Sequence, residues 1–261
     1  MKCPGSSRAF GEVMAQLRIE ILAKDFREPG SGTLKHVLGQ LAFGLGPGER
    51  VALVGPSGCG KTTLLNIVAG LDDGFSGRIE RPADARIGYV FQEPRLLPWR
   101  TVAANLRLVL EGPRAEVEAR IREVLAEVGL AGEEATYAAN LSLGMARRVA
   151  IARALVIDPD ILLLDEPFVS LDEPTARRLR LLLLDLLERH HPTTLFVTHD
   201  LREAVMIAER MVVLSAPPAR LVADVPISLT AAERRVEERI EDLRRALRRM
   251  LPEVPAEEGA A

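Results

Sequence analysis

The sequence predicts an α/β fold built on a parallel β-sheet, and three observations lead to this prediction. Short apolar runs typical of buried strands occur at residues 51–54, 161–164, 194–197 and 211–214. Segments with apolar residues at helical spacing lie between these runs. The first run leads directly into a glycine-rich loop and then a helical pattern, which is the order that opens a parallel α/β sheet.

Length and composition exclude several classes of protein. A chain of 261 residues is close to the upper limit for one hydrophobic core, so we expect one domain or two closely joined subdomains. Its 34 basic and 37 acidic residues give a net charge of −3, without the basic excess with which nucleic-acid binders collect phosphates. Two cysteines, Cys3 and Cys59, cannot form a disulfide framework, which indicates a reducing compartment.

The apolar runs are too short for a membrane protein. Spanning a bilayer takes about 20 apolar residues, and the longest aliphatic runs here, 161–164 and 181–184, each end at an aspartate. Residues 1–16 lack the apolar segment of a secretion signal. We therefore expect a protein that is soluble by itself and reaches a membrane only through a partner.

The elements before residue 70 follow from pattern and turn chemistry. Residues 1–16 are small and polar, and we expect them to be disordered. The elements that we predict next are a half-buried strand at 17–21, a loop or hairpin at 28–33, a tight turn at 47–48, a buried strand at 51–54 and a helix at 62–69.

The middle of the chain changes to helical patterns. Residues 102–110, 114–129 and 145–156 predict three helices, which places a helical insert near residues 95–150 between two α/β parts. The strands at 161–164, 194–197 and 211–214 follow, with a leucine-rich helix at 175–189.

The C-terminal segment predicts one amphipathic helix. Thr230 and Glu233 have the spacing of a capping box, and apolar residues follow at 4-3-4-3 spacing. These are Val236, Ile240, Leu243, Leu247 and Met250. Two heptads are too short for a coiled coil, so we expect the helix to pack onto its own domain.

Residues 55–62 (GPSGCGKT) fit the phosphate-loop pattern G-x-x-x-x-G-K-[ST] between a strand and a helix. Glycines let the backbone bring N–H groups to phosphate oxygens, and the helix N-terminus adds its positive dipole end. Lys61 supplies a charge to the β- and γ-phosphates, and Thr62 offers a hydroxyl to Mg²⁺. We expect Cys59, close to this helix N-terminus, to have an acidic thiol whose alkylation blocks ATP turnover.

Two further strand ends carry candidate catalytic groups. Asp165 and Glu166 follow the apolar run at 161–164, where Asp165 would hold Mg²⁺ and Glu166 would act as general base on water. The alternative is that the strand simply ends at a charged turn, which the phosphate loop in the same chain disfavours.

His199 follows the run at 194–197. A single histidine at a strand end is usually structural, but ligands bind at this end of parallel strands, so we interpret His199 as a contact of the γ-phosphate. A GTPase is disfavoured because no N-K-x-D-like guanine motif occurs.

With these residues in place, the chain resembles the ATP-binding subunits of ABC transporters over about residues 17–225. Residues 89–92 (YVFQ) resemble the Q-loop, 141–145 (LSLGM) the signature motif, 165–167 (DEP) the acidic strand end and 170–172 (SLD) the D-loop. The resemblance implies a P-loop NTPase fold of the ABC type with a helical subdomain and an N-terminal antiparallel β part. Residues 226–261 would be a C-terminal amphipathic helix and tail.

The resemblance also implies roles for individual residues. The catalytic candidates are Lys61, Gln92, Glu166 and His199, and the Mg²⁺ candidates are Thr62, Gln92 and Asp165. The candidates for ATP binding are Phe26 under the adenine, Gly55, Pro56, Ser57, Gly58, Cys59, Gly60, Lys61, Thr62 and Thr63 of the phosphate loop, and Ser142, Gly144 and Asp172.

The implied assembly is a head-to-tail dimer with two ATP molecules between the copies. Each ATP would lie between the phosphate loop of one copy and Ser142 and Gly144 of the other. Transmembrane permease subunits would bind this dimer at the cytoplasmic face of the membrane, with a solute-binding protein as an indirect partner and no nucleic acid. Trp99 would lie in the socket for the permease or would only pack internally; the sequence leaves both open.

Residues 91–102 (FQEPRLLPWRTV) and the LSxGM signature resemble the nitrate, sulfonate and taurine importer group. The resemblance therefore implies an ATPase that powers uptake of a small anionic solute. An ABC ATPase of lipid trafficking or export is the alternative, and a soluble DNA- or ribosome-acting member is a weaker one. Leu143 departs from the family, which usually has glycine there, and we expect it to reduce activity if the position needs positive φ or close phosphate approach.

Overall fold

Two β-sheets and seven α-helices make up the part of the chain that the computed structural model describes, residues 16–27, 30 and 32–251. The predicted N-terminal tail up to residue 15, with Cys3, and the tail from residue 252 lie outside the described residues.

The strands are β1 (Leu17–Arg27), β2 (Leu34–Leu38), β3 (Leu41–Leu45), β4 (Arg50–Val54), β5 (Ser76–Glu80), β6 (Ile87–Val90), β7 (Ile161–Asp165), β8 (Thr193–Thr198), β9 (Arg210–Leu214) and β10 (Leu221–Pro226). The helices are α1 (Lys61–Ala69), α2 (Val102–Arg107), α3 (Arg114–Glu127), α4 (Leu143–Leu155), α5 (Glu173–His190), α6 (Leu201–Ile207) and α7 (Glu237–Met250). Two 3₁₀ turns lie at Ala138–Asn140 and Glu233–Arg235.

The larger sheet has six strands in the order β10-β9-β4-β8-β7-β6. All its pairs are parallel except β10–β9, which is antiparallel at the edge. Its central strands are buried on both faces, which explains why they read as continuous apolar runs in the sequence. The predicted parallel α/β sheet is confirmed.

The smaller sheet is antiparallel, with β2 and β3 on either side of β1 and β5 also paired to β1. Alternation along β1 buries Leu17, Ile19 and Ile21 and exposes the residues between them, as its sequence pattern predicts. β1 and β2 pair antiparallel. Residues 28, 29 and 31 of the loop or hairpin predicted at 28–33 lie outside the described residues.

Hydrophobic residues cover the larger sheet on both faces. On one face, α1 and the smaller sheet share a core with Val51 and Leu53 of β4. On the other face, Ala52 and Val54 belong to a core that includes residues of α3, α4, α5 and α6. The three helices α2, α3 and α4 lie between β6 and β7 in the chain, where the helical insert is expected; its status as a separate subdomain stays a prediction.

The C-terminal helix packs onto its own domain, as expected, because Ile240 and Leu247 belong to the core on the α4–α6 face. The prediction is wrong at the ends of the repeat, where Val236 and Met250 are 46% and 70% exposed. Within the described residues, no helix combines the length and apolar character that crossing a bilayer requires.

The predicted capping box forms but does not start the C-terminal helix. The Thr230 backbone N–H donates to Glu233 Oε2 at 2.9 Å, and the Glu233 N–H donates to Thr230 Oγ1 at 3.3 Å. These bonds close the 3₁₀ turn Glu233–Arg235, after which Val236 is extended and α7 begins at Glu237 without a side-chain cap. The C-terminal segment is therefore a 3₁₀ turn followed by a helix rather than one helix.

The predicted helix at 102–110 is also shorter in the structure, where α2 ends at Arg107.

Candidate nucleotide-binding site

The phosphate loop joins the buried end of β4 to the first turn of α1. Gly58 and Gly60 have φ of 73° and 105°, a region that L side chains rarely adopt. A Cβ at Gly60 would also lie 2.7 Å from Leu38 Cδ2, so a larger residue there would displace that side chain. These two constraints explain why the loop between strand and helix carries glycine at these positions.

The N-terminus of α1 is free to bind an anion. Gly60 is its N-cap and has no side-chain acceptor, and the first turn has no acidic residue. The buried Lys61 ammonium donates to the carbonyls of Gly55 at 2.8 Å and Pro56 at 3.0 Å, which holds the charge inside the loop. The loop and the first turn of α1 thus place a lysine beside a helix N-terminus, whose N–H groups and dipole favour an anion.

The loop's remaining candidates differ in exposure. Ser57, Gly58 and Thr62 are exposed, Pro56 and Thr63 are half-buried, and Gly55 and Cys59 are buried. Cys59 lies in the core beneath the loop with 0% exposure, and this burial raises the pKa of its thiol despite the opposing charge of Lys61. The expectation of an acidic Cys59 thiol is therefore wrong, because loss of solvation outweighs the nearby positive charge and helix N-terminus. That alkylation of Cys59 blocks ATP turnover stays a prediction.

A cavity of about 400 Å³ brings together all three candidates for Mg²⁺, Thr62, Gln92 and Asp165. Thr62 Oγ1 donates to Asp165 Oδ1 at 3.1 Å, and burial is the main cause that raises the pKa of Asp165. Hydroxyl, amide and carboxylate oxygens are the hard donors that Mg²⁺ prefers when substrate phosphates complete its coordination, so the donor set fits this ion. In the described part of the chain no cluster of three or more His, Cys, Asp or Glu side chains could hold a metal.

Glu166 and His199 meet in a second cavity, of about 190 Å³, at the ends of β7 and β8. Glu166 has a φ of 44°, which turns the chain sharply after the strand. Its Oε2 lies 3.3 Å from His199 Nδ1, and this contact lowers the pKa of Glu166 and raises that of His199. Glu166 is therefore ionised at neutral pH and chemically able to accept a proton.

Phe26 and Gln92 are both accessible. The Phe26 ring is 43% exposed, and the ammonium of buried Lys24 lies 4.5 Å from its centroid. The Lys24 ammonium donates to Asp72 Oδ1 at 2.6 Å and so stays over one face of the ring, while the exposed part of the ring is open to a ligand.

Gln92 is exposed in the wall of the larger cavity, and its carbonyl accepts a hydrogen bond from Arg147.

Ser142, Gly144 and Asp172 line neither cavity. Ser142 caps α4 by accepting from the Met145 N–H at 3.3 Å, and Asp172 caps α5 by accepting from the Thr175 N–H at 3.1 Å. Both caps are exposed, so within one copy these candidates form a surface apart from the phosphate loop.

Leu143 is the first residue of α4, and its side chain is 43% exposed. It is not one of the described non-glycine residues with positive φ, so backbone strain gives no reason for reduced activity.

Trp99 is 70% exposed, which excludes the interpretation that it packs internally.

Sequence reasoning missed three buried charged residues that line the cavities: Arg147, Glu203 and Arg180, which is 3% exposed in the smaller cavity. Arg147 lines the larger cavity and Glu203 the smaller one, and they are only 3% and 9% exposed. The helical spacing of α4 could have indicated the burial of Arg147. It precedes Ile151 by one helical turn and Leu155 by two, so all three lie on the buried face. No comparable signal distinguished Glu203 from other charged helix residues.

Comparison with known families gives a consistent result. The sequence profile described as "ABC transporter" matches residues 38–169. The aliphatic sulfonates import ATP-binding protein SsuB 1 of Frankia alni is 49% identical over 211 residues, which cover 81% of this chain and 77% of that protein. The SsuB protein of Bacillus thuringiensis subsp. konkukian is 41% identical over 221 residues, covering 82% and 87%.

Solved structures show the same similarity. An ATP-binding cassette solved as a dimer in a post-hydrolysis state, bound to ADP and Pi, has a TM-score of 0.70 at 28% identity and covers 82% of this chain and 100% of that one. CbiO1 of Clostridium perfringens, described as part of the ABC transporter complex cbiONQ, has a TM-score of 0.69 at 25% identity and covers 89% and 98%.

Proposed function

The chain belongs to the ABC transporter family of ATP-binding proteins and is an ATPase, and from this premise we propose that it powers an importer of a small anionic, sulfonate-like solute. The importer part rests on the relatives named for aliphatic sulfonate import, at 41–49% identity, and on the importer-like segment 91–102. The solute would cross the membrane through a separate permease.

One arrangement carries the catalytic assignment: β4, β8 and β7 are neighbours in the parallel sheet. Their carboxyl ends therefore lie at one edge, where ligands bind in such sheets. The phosphate loop follows β4, His199 follows β8, and Asp165 and Glu166 end β7. Three segments far apart in the sequence thus supply the anion site, the proton acceptor and its histidine partner.

We assign the steps of hydrolysis to these residues. Lys61 and the N–H groups of α1 bind the β- and γ-phosphates, and Thr62, Gln92 and Asp165 would hold Mg²⁺. When bound, Mg²⁺ neutralises charge on the phosphate oxygens. Glu166 takes a proton from the attacking water, and His199 orients Glu166 and contacts the γ-phosphate.

The surface position of Ser142, Gly144 and Asp172 supports a head-to-tail dimer. The N-terminus of α4 is exposed at Ser142, its N-cap, and Ser142 and Gly144 do not line the cavity beside the phosphate loop of the same copy. A helix N-terminus favours anions, so this surface could receive phosphate from another copy. A similar cassette is a dimer with ADP and Pi. We propose that a second copy brings its phosphate loop to this surface, so that each ATP is bound between two chains.

An exposed aromatic surface in the helical insert supports a permease partner. Trp99 and Tyr137 are 70% and 53% exposed, and their segments are joined by an isolated bridge between Thr101 and Tyr137. Exposed aromatic side chains of this kind mark protein interfaces. We propose that the permease docks here, which would hold the chain at the cytoplasmic face of the membrane.

Hydrolysis is tested with the purified chain and one substitution. Lys61→Ala removes the buried ammonium, and we expect it to abolish ATP hydrolysis. Arg122→Ala removes an exposed cation of α3 and serves as the control, with activity equal to that of the unmodified chain. Full hydrolysis by Lys61→Ala would refute the assignment of the phosphate loop.

Import is tested in proteoliposomes that contain the chain with its permease and are loaded with ATP. We expect uptake of an alkanesulfonate, taurine or nitrate when the solute-binding protein is added outside. Export or lipid transfer without uptake would favour the alternative ABC systems. Failure to bind any multi-span membrane protein would favour a soluble ABC ATPase.

A further inference from the structure

Arg147 is a buried cation in the wall of the larger cavity, and no step above assigns a role to it. It lies on α4, five residues after Ser142, and is 3% exposed. The cavity that it lines also contains Thr62, Gln92 and Asp165. Its position therefore joins the helix that begins at the signature motif to the oxygen donors of the site.

The Arg147 guanidinium holds two backbone segments that follow different strands. Nη1 donates to the carbonyl of Gln92, two residues after the end of β6. Nη2 donates to the carbonyl of Val169 at 3.1 Å, in the segment that follows β7, and the Val169 N–H donates to the carbonyl of Glu166 at 3.3 Å. One side chain thus connects the backbones that carry Gln92 and Glu166.

These contacts leave the buried charge incompletely satisfied. Arg147 Nε is one of two buried side-chain nitrogen or oxygen atoms, among the residues described, that have no hydrogen-bond partner; the other is Glu188 Oε1. Burial also lowers the pKa of Arg147, and only the charge of Glu93 acts in the opposite direction. A buried cation without a full set of partners does not favour stability, so a role at the adjacent site explains its position better.

A second arginine of α4 holds the continuation of the same loop. Arg153 donates to the carbonyls of Pro94 at 2.9 Å and Arg95 at 2.8 Å. The backbone from Gln92 to Arg95 is therefore held by α4 at three carbonyls. Of the two arginines, only Arg147 lines the cavity and bonds to Gln92 itself.

We propose that Arg147 is a positioning residue for hydrolysis, which fixes the Gln92 side chain in the cavity by holding the Gln92 carbonyl from α4. This inference rests on the proposed role of Gln92 at the site. Arg147 acts through Gln92 and contacts neither the nucleotide nor the water. Because Ser142 is the N-cap of α4, the same contact links the surface offered to a second copy with the position of Gln92.

A double-mutant cycle of ATP hydrolysis tests the proposal in the assembled transporter. Arg147→Gln is expected to lower kcat about ten-fold while the KM for ATP changes less than two-fold, because the phosphate loop is intact. Arg147→Lys keeps the charge and one donor, and should recover part of this loss. In a Gln92→Ala background, Arg147→Gln should lower kcat less than two-fold further, since the group that it positions is already absent.

Arg148→Gln is the matched control, because the Arg148 guanidinium lies beside Gly129 instead of the cavity, and its kcat should be unchanged. Thermal unfolding monitors the fold of each variant, and if Arg147→Gln does not fold, the cycle is run with Arg147→Lys. An unchanged kcat for the Arg147 variants, or losses that multiply fully with Gln92→Ala, would overturn the proposal. Either result leaves the proposed function intact, whereas full hydrolysis by Lys61→Ala would refute the assignment of the phosphate loop on which that function rests.

Discussion

His199 Nδ1 lies 3.3 Å from Glu166 Oε2, so the two side chains that follow neighbouring parallel strands form a single polar pair. Each partner stabilises the charged form of the other, which lowers the pKa of Glu166 and raises that of His199. The pair keeps Glu166 ionised and restricts its orientation. This is the state that a general base needs before water is bound.

The first prediction concerns Glu166 as the general base. Glu166→Gln keeps the shape of the side chain but cannot accept a proton, so we expect ATP binding to persist and kcat to fall about 10²- to 10⁴-fold. In the proposed dimer each ATP joins the two copies, and its hydrolysis would remove that link, so this variant should remain dimeric with ATP in size-exclusion chromatography. Glu238→Gln, an isosteric change at an exposed position of α7, is the control. Normal turnover by Glu166→Gln would show that another group acts as base.

The second prediction concerns Leu143. Its exposed side chain lies at the start of α4 between Ser142 and Gly144, where the proposed dimer brings phosphate close to the backbone. Backbone strain is not the cause, so only the bulk of leucine remains as a reason for reduced activity. We expect Leu143→Gly to raise the ATPase rate of the assembled transporter a few-fold, and an unchanged or lower rate would contradict the steric explanation.

The sequence predicted those elements whose burial leaves a local pattern. The strands β4, β7, β8 and β9 are buried almost throughout and read as continuous apolar runs. Five strands, β2, β3, β5, β6 and β10, were not predicted individually. The sequences of β5 (SGRIE) and β10 (LVADVP) are exposed or half-buried, and only pairing with neighbours makes them strands. Helix α6 was missed because six of its seven residues are buried, so no exposed face gives it an amphipathic pattern.

The candidate site was predictable where motifs dictate local geometry, and not where burial depends on distant residues. The phosphate loop, Asp165, Glu166 and His199 lie together because strand order brings their segments to one edge. The pKa direction of Cys59 was predicted wrongly, since its neighbours in the core come from strands far away in the chain. The capping box was assigned to the wrong element because the extended backbone of Val236 interrupts the helix.

The third prediction concerns the pH dependence of stability at Glu203. This carboxyl accepts a hydrogen bond from Thr198 Oγ1, which in turn accepts from the Asp200 N–H at 3.0 Å, so it supports the turn that carries His199. Burial, aided by the charge of Asp200 and opposed by Thr198, Arg180 and His199, raises the pKa of Glu203 from 4.5 to about 8.

Between these two pKa values the unfolded chain loses the proton of this carboxyl while the folded protein keeps it. The stabilising contribution is therefore fully present below about pH 4.5 and is lost as pH rises towards 8, by up to about 4 kcal/mol. Urea unfolding of the unmodified chain and of Glu203→Gln at several pH values measures the difference in free energy of unfolding. This difference should move in favour of Glu203→Gln from pH 5 to pH 8, and a constant difference would disprove the raised pKa.

The fourth prediction compares two adjacent arginines of the C-terminal segment. Arg234 is 1% exposed and donates to the carbonyls of Val205 at 2.9 Å, Met206 at 3.3 Å and Ile227 at 3.4 Å, and burial lowers its pKa to about 10. Arg235 pairs at the surface with Asp185 at 2.7 Å and Glu188 at 2.8 Å. The first residue ties the C-terminal segment to the end of α6, the helix that follows His199.

Arg234→Ala should lower the free energy of unfolding by about 2 to 4 kcal/mol, because it leaves a cavity and removes the partners of three carbonyls. Arg235→Ala removes only exposed ion pairs and should cost less than about 1 kcal/mol. Arg234→Met restores much of the volume without the donors, so its cost relative to Arg234→Ala separates packing from hydrogen bonding. Urea unfolding of the three variants measures these differences. Equal losses for Arg234→Ala and Arg235→Ala would mean that the buried guanidinium does not anchor the C-terminal segment.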